Sequence, residues 1–470
     1  MKILKRILAG TLAVVLTFAL VGCDSGDDDS SKDDEIAVVS TDDIEPIADG
    51  EETTLVWMAN YDLNPSSDDD DRTVGLTLFE EKGGSIEYMR VTSSNQFTKL
   101  AAAVTAGTDA PDLFAYNTLA FPCQVVQGFY QPLDEVIDFD SDLWSSVKDT
   151  ADQFMLDGKH YVAPIEYGLT ALLYYDKTVI SEEGLDDPID LYYAGEWDYD
   201  AMDDLMSEYV SNAAGDEVRY GINGWYAPQM VAQTGETLVT TEDNITYESN
   251  LDSAKIASVM ERLYNWQKNG YVEPNWIGTA ADAFEKNILF YSMGTWAAMG
   301  DNGPDVEGDW GMVPYPSDPT YEGEKPISSA SITSYMWVTG SEKTDAVRCF
   351  YECYRIAQTD PTYAATGLEK AKAASPTWTD EDFELMSDLT NPDKVLLLFD
   401  PAYGVSSLMG DDFSGFMSGV CLANWLYKST SVPDEEGNTY TWTQSKEKYS
   451  STVEEEVATI NSQIQDFISE

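Results

Sequence analysis

Between Thr54 and Ala115 the chain alternates short apolar runs with stretches whose apolar residues recur at helical spacing, which restricts it to few architectures. Thr54 to Met58 reads as a buried strand. Val74 to Lys82 follows as a helix that Gly83-Gly84 stops. Ser85 to Val91 alternates at period two, with Ile86, Tyr88 and Arg90 on one face. Ser94 to Ala106 is a second helix, its stripe formed by Phe97, Leu100, Ala101 and Val104 and its end marked by Gly107. Leu113 to Ala115 then opens a third strand. A helix between two strands carries the chain back to the same end of the sheet, so these strands run parallel in an α/β lobe. Further on, Asp157-Gly158 reads as a hairpin turn, and amphipathic helices are expected over Asp252 to Asn269, Lys343 to Gln358 and Ser445 to Ile468.

A chain of 470 residues is long for one hydrophobic core, and two lobes are expected. Twelve Trp and 28 Tyr exceed the needs of packing, so some are expected to line a binding cleft. With 85 acidic residues against 26 Lys and Arg, the net charge is −59, which repels nucleic acid and anionic membranes. Apart from Cys23, the cysteines are Cys123, Cys349, Cys353 and Cys421. The chain has a single His and no paired Cys-x-x-Cys units, so neither zinc nor any other cofactor is expected. Nucleophile elbows and Gly-rich phosphate loops are absent too.

Lys2, Lys5 and Arg6 precede an apolar run, Ile7 to Val21, too short to span a bilayer comfortably. This is the layout of a secretory signal peptide over residues 1–22. Its end, Leu20-Val21-Gly22-Cys23, resembles the bacterial lipobox, which implies a lipid anchor on Cys23 and a protein held at the outer face of the cell membrane. Residues 24–53 hold thirteen acids and one Lys, so 23–52 reads as an acidic, disordered tether. The acidic run Asp68 to Asp71 lacks the alternating ligands and central Gly of a calcium loop and reads as a solvated loop.

Residues 99–117, KLAAAVTAGTDAPDLFAYN, resemble the helix-then-strand signature of extracellular solute-binding proteins of ABC importers, and most of all the sugar-binding, maltose-binding-protein-like family. Further stretches match in that family's order: Gly128 to Asp134, Asp157 to Pro164, Leu173 to Lys177, Glu196 to Tyr199 with Met202 and Leu205, Arg219 to Ile222, Phe284 to Trp296, and 327–358. Asp62-Leu63-Asn64-Pro65 looks like a variant common in Gram-positive members. Asp176 stands where Asn is usual, Ile288 where a basic residue is usual, and Asn287 where Gly is usual; Asn tolerates the left-handed backbone a Gly would supply. The resemblance implies two discontinuous α/β lobes, hinge and interlobe cleft included, of the periplasmic-binding-protein type. The expected division is 53–165 plus 288–337 for the N-terminal lobe and 166–287 plus 338–470 for the C-terminal lobe.

The same resemblance implies a non-enzymatic, monomeric subunit that closes on a carbohydrate, an oligosaccharide above all, and delivers it to a membrane permease. Sugars offer apolar C–H faces and a rim of hydroxyls, so a sugar site needs flat aromatics with carboxylate or amide acceptors. The candidates are Trp57, Tyr61, Tyr116, Asn117, Glu166, Tyr167, Trp225, Trp296 and Asp301, with Trp296 and Asp301 in a late loop of the N-terminal lobe. His160 reads as a hairpin residue. Two rivals stand beside this reading: a binding protein for a cationic or peptide-like solute, and a surface glycosidase using two carboxylates.

Overall fold

The computed structural model describes residues 41–64, 72–107, 110–328, 330–417 and 419–469. The signal peptide, Cys23, most of the tether and the run Asp68 to Asp71 lie outside these. In chain order, the strands that carry the argument are β1 (Thr54–Ala59), β2 (Ser85–Arg90), β3 (Leu113–Ala115), β4 (Glu166–Leu169), β5 (Leu172–Asp176), β6 (Tyr220–Gly224), β7 (Ile288–Met293), β8 (Trp310–Val313), β9 (Ala330–Thr333) and β10 (Tyr335–Trp337). The helices that carry it are α1 (Val74–Glu81), α2 (Gln96–Ala106), α3 (Tyr199–Ser211), α4 (Ala254–Lys268), α5 (Thr344–Thr359), α6 (Pro361–Ala374) and α7 (Trp442–Ser469). No described helix is long and apolar enough to cross a membrane.

The chain divides into two compact units. The first holds the residues up to Glu166 together with Ile332–Ala371, the second Tyr167–Ser331 with the residues from Lys372 onward. This departs from the expected division in two places. Residues 288–331 belong to the second unit, because β7 pairs with β5 and β6 there, Tyr291 lying opposite both Tyr174 and Asn223. Residues 338–371 belong to the first, because α5 lays Phe350 edge-on against Phe79 of α1 and Tyr335 of β10, at 5.4 and 4.9 Å.

The first unit is built on a sheet of order β10-β3-β1-β2, with β1 parallel to β2 and β3, and β10 antiparallel to β3. Gly107 ends α2 in the left-handed conformation (φ 62°), and Pro111 keeps the helix from resuming. Asp112, buried at the start of β3, explains the Pro-Asp pair of the signature. Its Oδ2 accepts from the Val56 amide at 2.7 Å and from Lys343 Nζ at 2.8 Å, and its Oδ1 accepts from the Ser341 hydroxyl at 2.7 Å. One carboxylate thus joins β1, β3 and the approach to α5.

Residues 41–52, expected to belong to the disordered tether, are folded against this unit. Ile44 is 3% exposed, Lys82 Nζ donates to the carbonyls of Thr41 and Ile44 at 2.7 and 2.8 Å, and the Ala48 amide donates to Asp345 at 2.7 Å. Composition averaged over 23–52 hides the one apolar side chain and the short backbone stretch that find partners.

The second unit has a sheet of order β8-β5-β7-β6, in which β6 and β7 are parallel and β5 runs against both β7 and β8. Asp198 caps α3, accepting from the amides of Asp200 and Ala201 at 3.0 and 2.9 Å. Asn287, just before β7, has φ 56°, the left-handed backbone expected of it. The stripe Val453, Val457, Ile460 and Ile464 of α7 is buried, as is Ile256, Val259, Met260, Leu263 and Trp266 of α4. Cys123, Cys349, Cys353 and Cys421 are buried and outside any disulfide, with the sulfurs of Cys349 and Cys353 3.9 Å apart on α5.

Candidate functional site

In open α/β sheets ligands bind beyond the carboxyl ends of the strands. In the second unit, β6 and β7 end side by side there, with Gly224 opposite Ser292. Gly224 has φ 104°, and a Cβ on it would lie 1.8 Å from the Ser292 carbonyl oxygen, so no other residue fits. The Trp225 amide donates to that same carbonyl at 2.8 Å, which delivers the Trp225 side chain to the sheet edge.

Trp225 meets a residue that the sequence reading missed. Trp276 lies against it with ring centroids 5.9 Å apart and planes at 44°. The loop carrying Trp276 is held at both ends: Asn223 Nδ2 donates to the carbonyls of Glu273 and Asn275 at 2.8 and 2.9 Å, and the Tyr291 hydroxyl donates to Ile277 at 2.9 Å. Glu273 folds back to accept from the Asn275 amide at 2.9 Å. Burial raises the Tyr220 phenol above its ordinary range, and neighbouring Glu273 adds to the rise. The sequence signal for Trp276 was its place in Glu273-Pro274-Asn275-Trp276, a rigid turn just past the end of α4.

Past β7 the chain turns at Gly294 into a short 3-10 turn, Thr295–Ala297, that carries Trp296. A Cβ on Gly294 would lie 2.8 Å from Trp296 Nε1, so the indole packs over a residue without a side chain. Asn302 Nδ2 holds the Trp296 carbonyl at 3.1 Å. Asp301 lies on the next 3-10 turn, Gly300–Asn302. Both residues belong to the second unit, not the first as expected, because they follow β7. Trp225, Trp276 and Trp296 are 36%, 60% and 39% exposed. Indoles left in water on rigid turns at a sheet edge are a poor use of apolar surface unless something covers them.

The candidates of the first unit divide. Trp57 is fully buried inside β1, edge-on to Tyr61 and Tyr335, with its Nε1 donating to the Tyr61 carbonyl at 3.0 Å. It is a core residue that steadies Tyr61, and so is corrected as a solute contact. Tyr61 and Tyr116 are half-buried past the carboxyl ends of β1 and β3, and burial holds both phenols well above their usual range. Tyr116 rests edge-on against Phe154. Asn117 spends its amide locally, accepting from the Leu119 amide at 3.0 Å as a cap. Glu166 and Tyr167 are buried on β4. His160 lies between Asp134 and Asp152, 2.8 Å from each, and stacks on Phe139. Among the described residues no group of three or more His, Cys, Asp and Glu is arranged to hold a metal ion.

The family model for bacterial extracellular solute-binding proteins matches residues 66–354. The chain belongs to that family. This solute-binding protein has the two-lobe fold of its relatives of known structure. An ABC substrate-binding protein from Listeria monocytogenes in complex with cycloalternan is 15% identical, with a TM-score of 0.57 over 89% of this chain and 100% of that one. The GacH receptor of Streptomyces glaucescens, solved unliganded and with acarbose, is 16% identical, with a TM-score of 0.55 over 89% and 98%. The maltose/maltodextrin-binding domain MalE from Bdellovibrio bacteriovorus, bound to maltotriose, is 15% identical, with a TM-score of 0.55 over 86% and 100%. At such identities the likeness is one of fold. No curated protein sequence matches the chain. The family consists of binding proteins, and the solute-binding protein is one of them rather than an enzyme.

Proposed function

We propose that this solute-binding protein captures a carbohydrate, above all an oligosaccharide, by hinge closure and delivers it to the permease of an ABC importer while anchored at the outer face of the cell membrane through Cys23. The observation that carries the reading is the indole group at the carboxyl edge of β6 and β7: Trp225 and Trp276 meeting at 5.9 Å, with Trp296 beyond the neighbouring strand. Tilted indoles offer a curved apolar floor for the C–H faces of consecutive sugar rings, a use that neither a polyamine nor a free amino acid requires. Tyr61 and Tyr116 are the corresponding candidates in the first unit, with Asp301, Glu166, Tyr167 and Asn117 assigned to the polar rim or its support. Similar proteins crystallised with cycloalternan and with maltotriose support an α-glucan-like solute.

The experiment is thermal unfolding of the protein starting at Thr41 against maltotriose, longer maltodextrins, other oligosaccharides, polyamines and peptides. A ligand at 100 times its Kd stabilises by about 2.7 kcal/mol if it binds only the native state. A rise with one sugar class supports the proposal. A rise confined to polyamines or peptides overturns the sugar assignment.

A further inference from the structure

The second unit carries a recess that the solute reading does not use. β5 and β8 pair antiparallel with Tyr174 opposite Met312, which puts both side chains, and Trp310 two residues before Met312, on one face of the sheet. Against that face lie Ala298 from the segment after the Trp296 turn, Thr377 and Trp378 from the link after α6, and Asp382 from the first turn of the helix Asp380–Thr390. The Trp378 Nε1 donates to the Ala298 carbonyl at 3.2 Å and so fastens two of these segments together. The recess holds about 250 Å³, part of it open to solvent, and its enclosed end seats about one water-sized body. None of Trp225, Trp276 and Trp296 lines it, so it stands apart from the indole group whether or not a sugar is the solute.

The chemistry of its walls is one-sided. Trp310 and Trp378 give aromatic surface, Tyr174 and Thr377 each a hydroxyl and Asp382 a carboxylate, and no Lys, Arg or His lines it. Lys372, which precedes the link, is paired with Asp380 at 2.6 Å. The Thr379 amide and hydroxyl donate to Asp382 Oδ2 at 2.9 and 2.8 Å in a capping box, which fixes the carboxylate and leaves Oδ1 for the recess. Tyr174 is 2% exposed, and its hydroxyl is buried without a hydrogen-bond partner. Burial pushes that phenol well above its ordinary range, and Tyr315, Tyr291 and Asp382 add to the rise. A buried hydroxyl without a partner is rare in a folded protein and calls for one. Oxygen acceptors and aromatic surface with no fixed cation among them suit a small cation. A primary ammonium head is about the size of a water molecule, and its three N–H donors match the two hydroxyls and Asp382 Oδ1. An anion would face Asp382, and a sugar ring is larger than the enclosed end.

We infer that this recess is a binding site for a primary ammonium group, such as that of a small alkylamine, held by Asp382, Tyr174 and Thr377 between the indoles of Trp310 and Trp378. The probe is methylammonium, titrated into the full chain and followed by saturation-transfer NMR. Ionic strength is held constant, because a net charge of −59 attracts any cation. A ligand of two heavy atoms binds at best with a Kd on the order of 10 mM, and saturation in that range is expected. Sodium at equal concentration should not displace it, and neither should tetramethylammonium, which has the charge but no N–H donor. Asp382→Asn keeps an oxygen for the helix cap and removes the charge, and affinity is expected to fall at least about tenfold. Tyr174→Phe should weaken binding about threefold and leave the fold intact, since its hydroxyl has no partner in the protein to lose. Native-like affinity in Asp382→Asn, equal displacement by sodium or tetramethylammonium, or a signal that never saturates overturns the inference. If either variant does not fold, Thr377→Val, on a half-buried residue, is read by the same titration, and unchanged affinity there overturns it.

Discussion

The Trp225 amide donates to the Ser292 carbonyl at 2.8 Å, so the first residue beyond β6 is fastened to the next-to-last residue of β7. That bond forms only because Gly224 has no side chain: a Cβ there would meet the same oxygen at 1.8 Å, on a backbone with φ 104°. Gly224→Ala is therefore expected to cost about 3 kcal/mol or more, combining left-handed strain with a backbone clash. Urea unfolding monitored by far-UV circular dichroism measures it. A loss under about 1 kcal/mol would mean that the edge rearranges cheaply and does not hold Trp225 rigidly.

The three exposed indoles should act on binding and hardly at all on folding. Trp276→Ala and Trp296→Ala are each expected to weaken oligosaccharide binding at least about tenfold, near 1.4 kcal/mol, with stability changed by less than about 1 kcal/mol. Because Trp225 and Trp276 touch, the double variant should lose less than the sum of the two single losses. Isothermal titration with a maltodextrin the native protein binds gives the affinities, and urea unfolding gives the stabilities. Unchanged affinity in Trp276→Ala would remove the paired platform, and unchanged affinity in Trp296→Ala would remove that residue from the site.

Local features were readable because local spacing determines them. A helix expected over Val74 to Lys82 forms over Val74–Glu81, Asp198 caps α3, and Asn287 takes the left-handed backbone of the Gly it replaces. What was not readable depends on partners far away in the chain. Whether residues 288–331 join the first or the second unit is decided when Tyr291 meets Tyr174, more than a hundred residues earlier. Trp57 and Trp225 are both tryptophans at or just beyond a strand, yet Tyr61 and Tyr335 bury the first, while the second, with Trp276 against it, stays 36% exposed. Trp276 escaped notice because its platform exists only once Asn223 has drawn the 273–275 loop toward β6.

Asp112 offers a test of why a Pro-Asp pair precedes β3. Its two oxygens serve one ammonium, one amide and one hydroxyl, and its side chain is buried. Asp112→Asn would turn an N–H toward one of those donors and leave Lys343 without its buried counter-charge. A loss of about 2–4 kcal/mol is expected, large for an isosteric change. Chemical denaturation measures it, and Lys343→Met should recover part of the loss when combined with Asp112→Asn, since the ammonium is then gone as well.

The segment before β1 can be tested by where the protein is made to start. Ile44 is buried, and burying an Ile side chain contributes about 1.5–3 kcal/mol before the cost of ordering the backbone around it. Lys82 closes the segment by binding two of its carbonyls, and Arg348 Nη2 binds the Glu45 carbonyl at 3.0 Å. If the net stabilisation is about 2 kcal/mol, a protein starting at Thr53 should melt about 2 °C below one starting at Thr41. Ile44→Asp in the longer form should reproduce most of that difference, because it removes the one buried apolar anchor while the acidic residues around it stay. Equal melting temperatures for the two starting points would show that residues 41–52 lie on the first unit without stabilising it, and that the folded domain begins at β1.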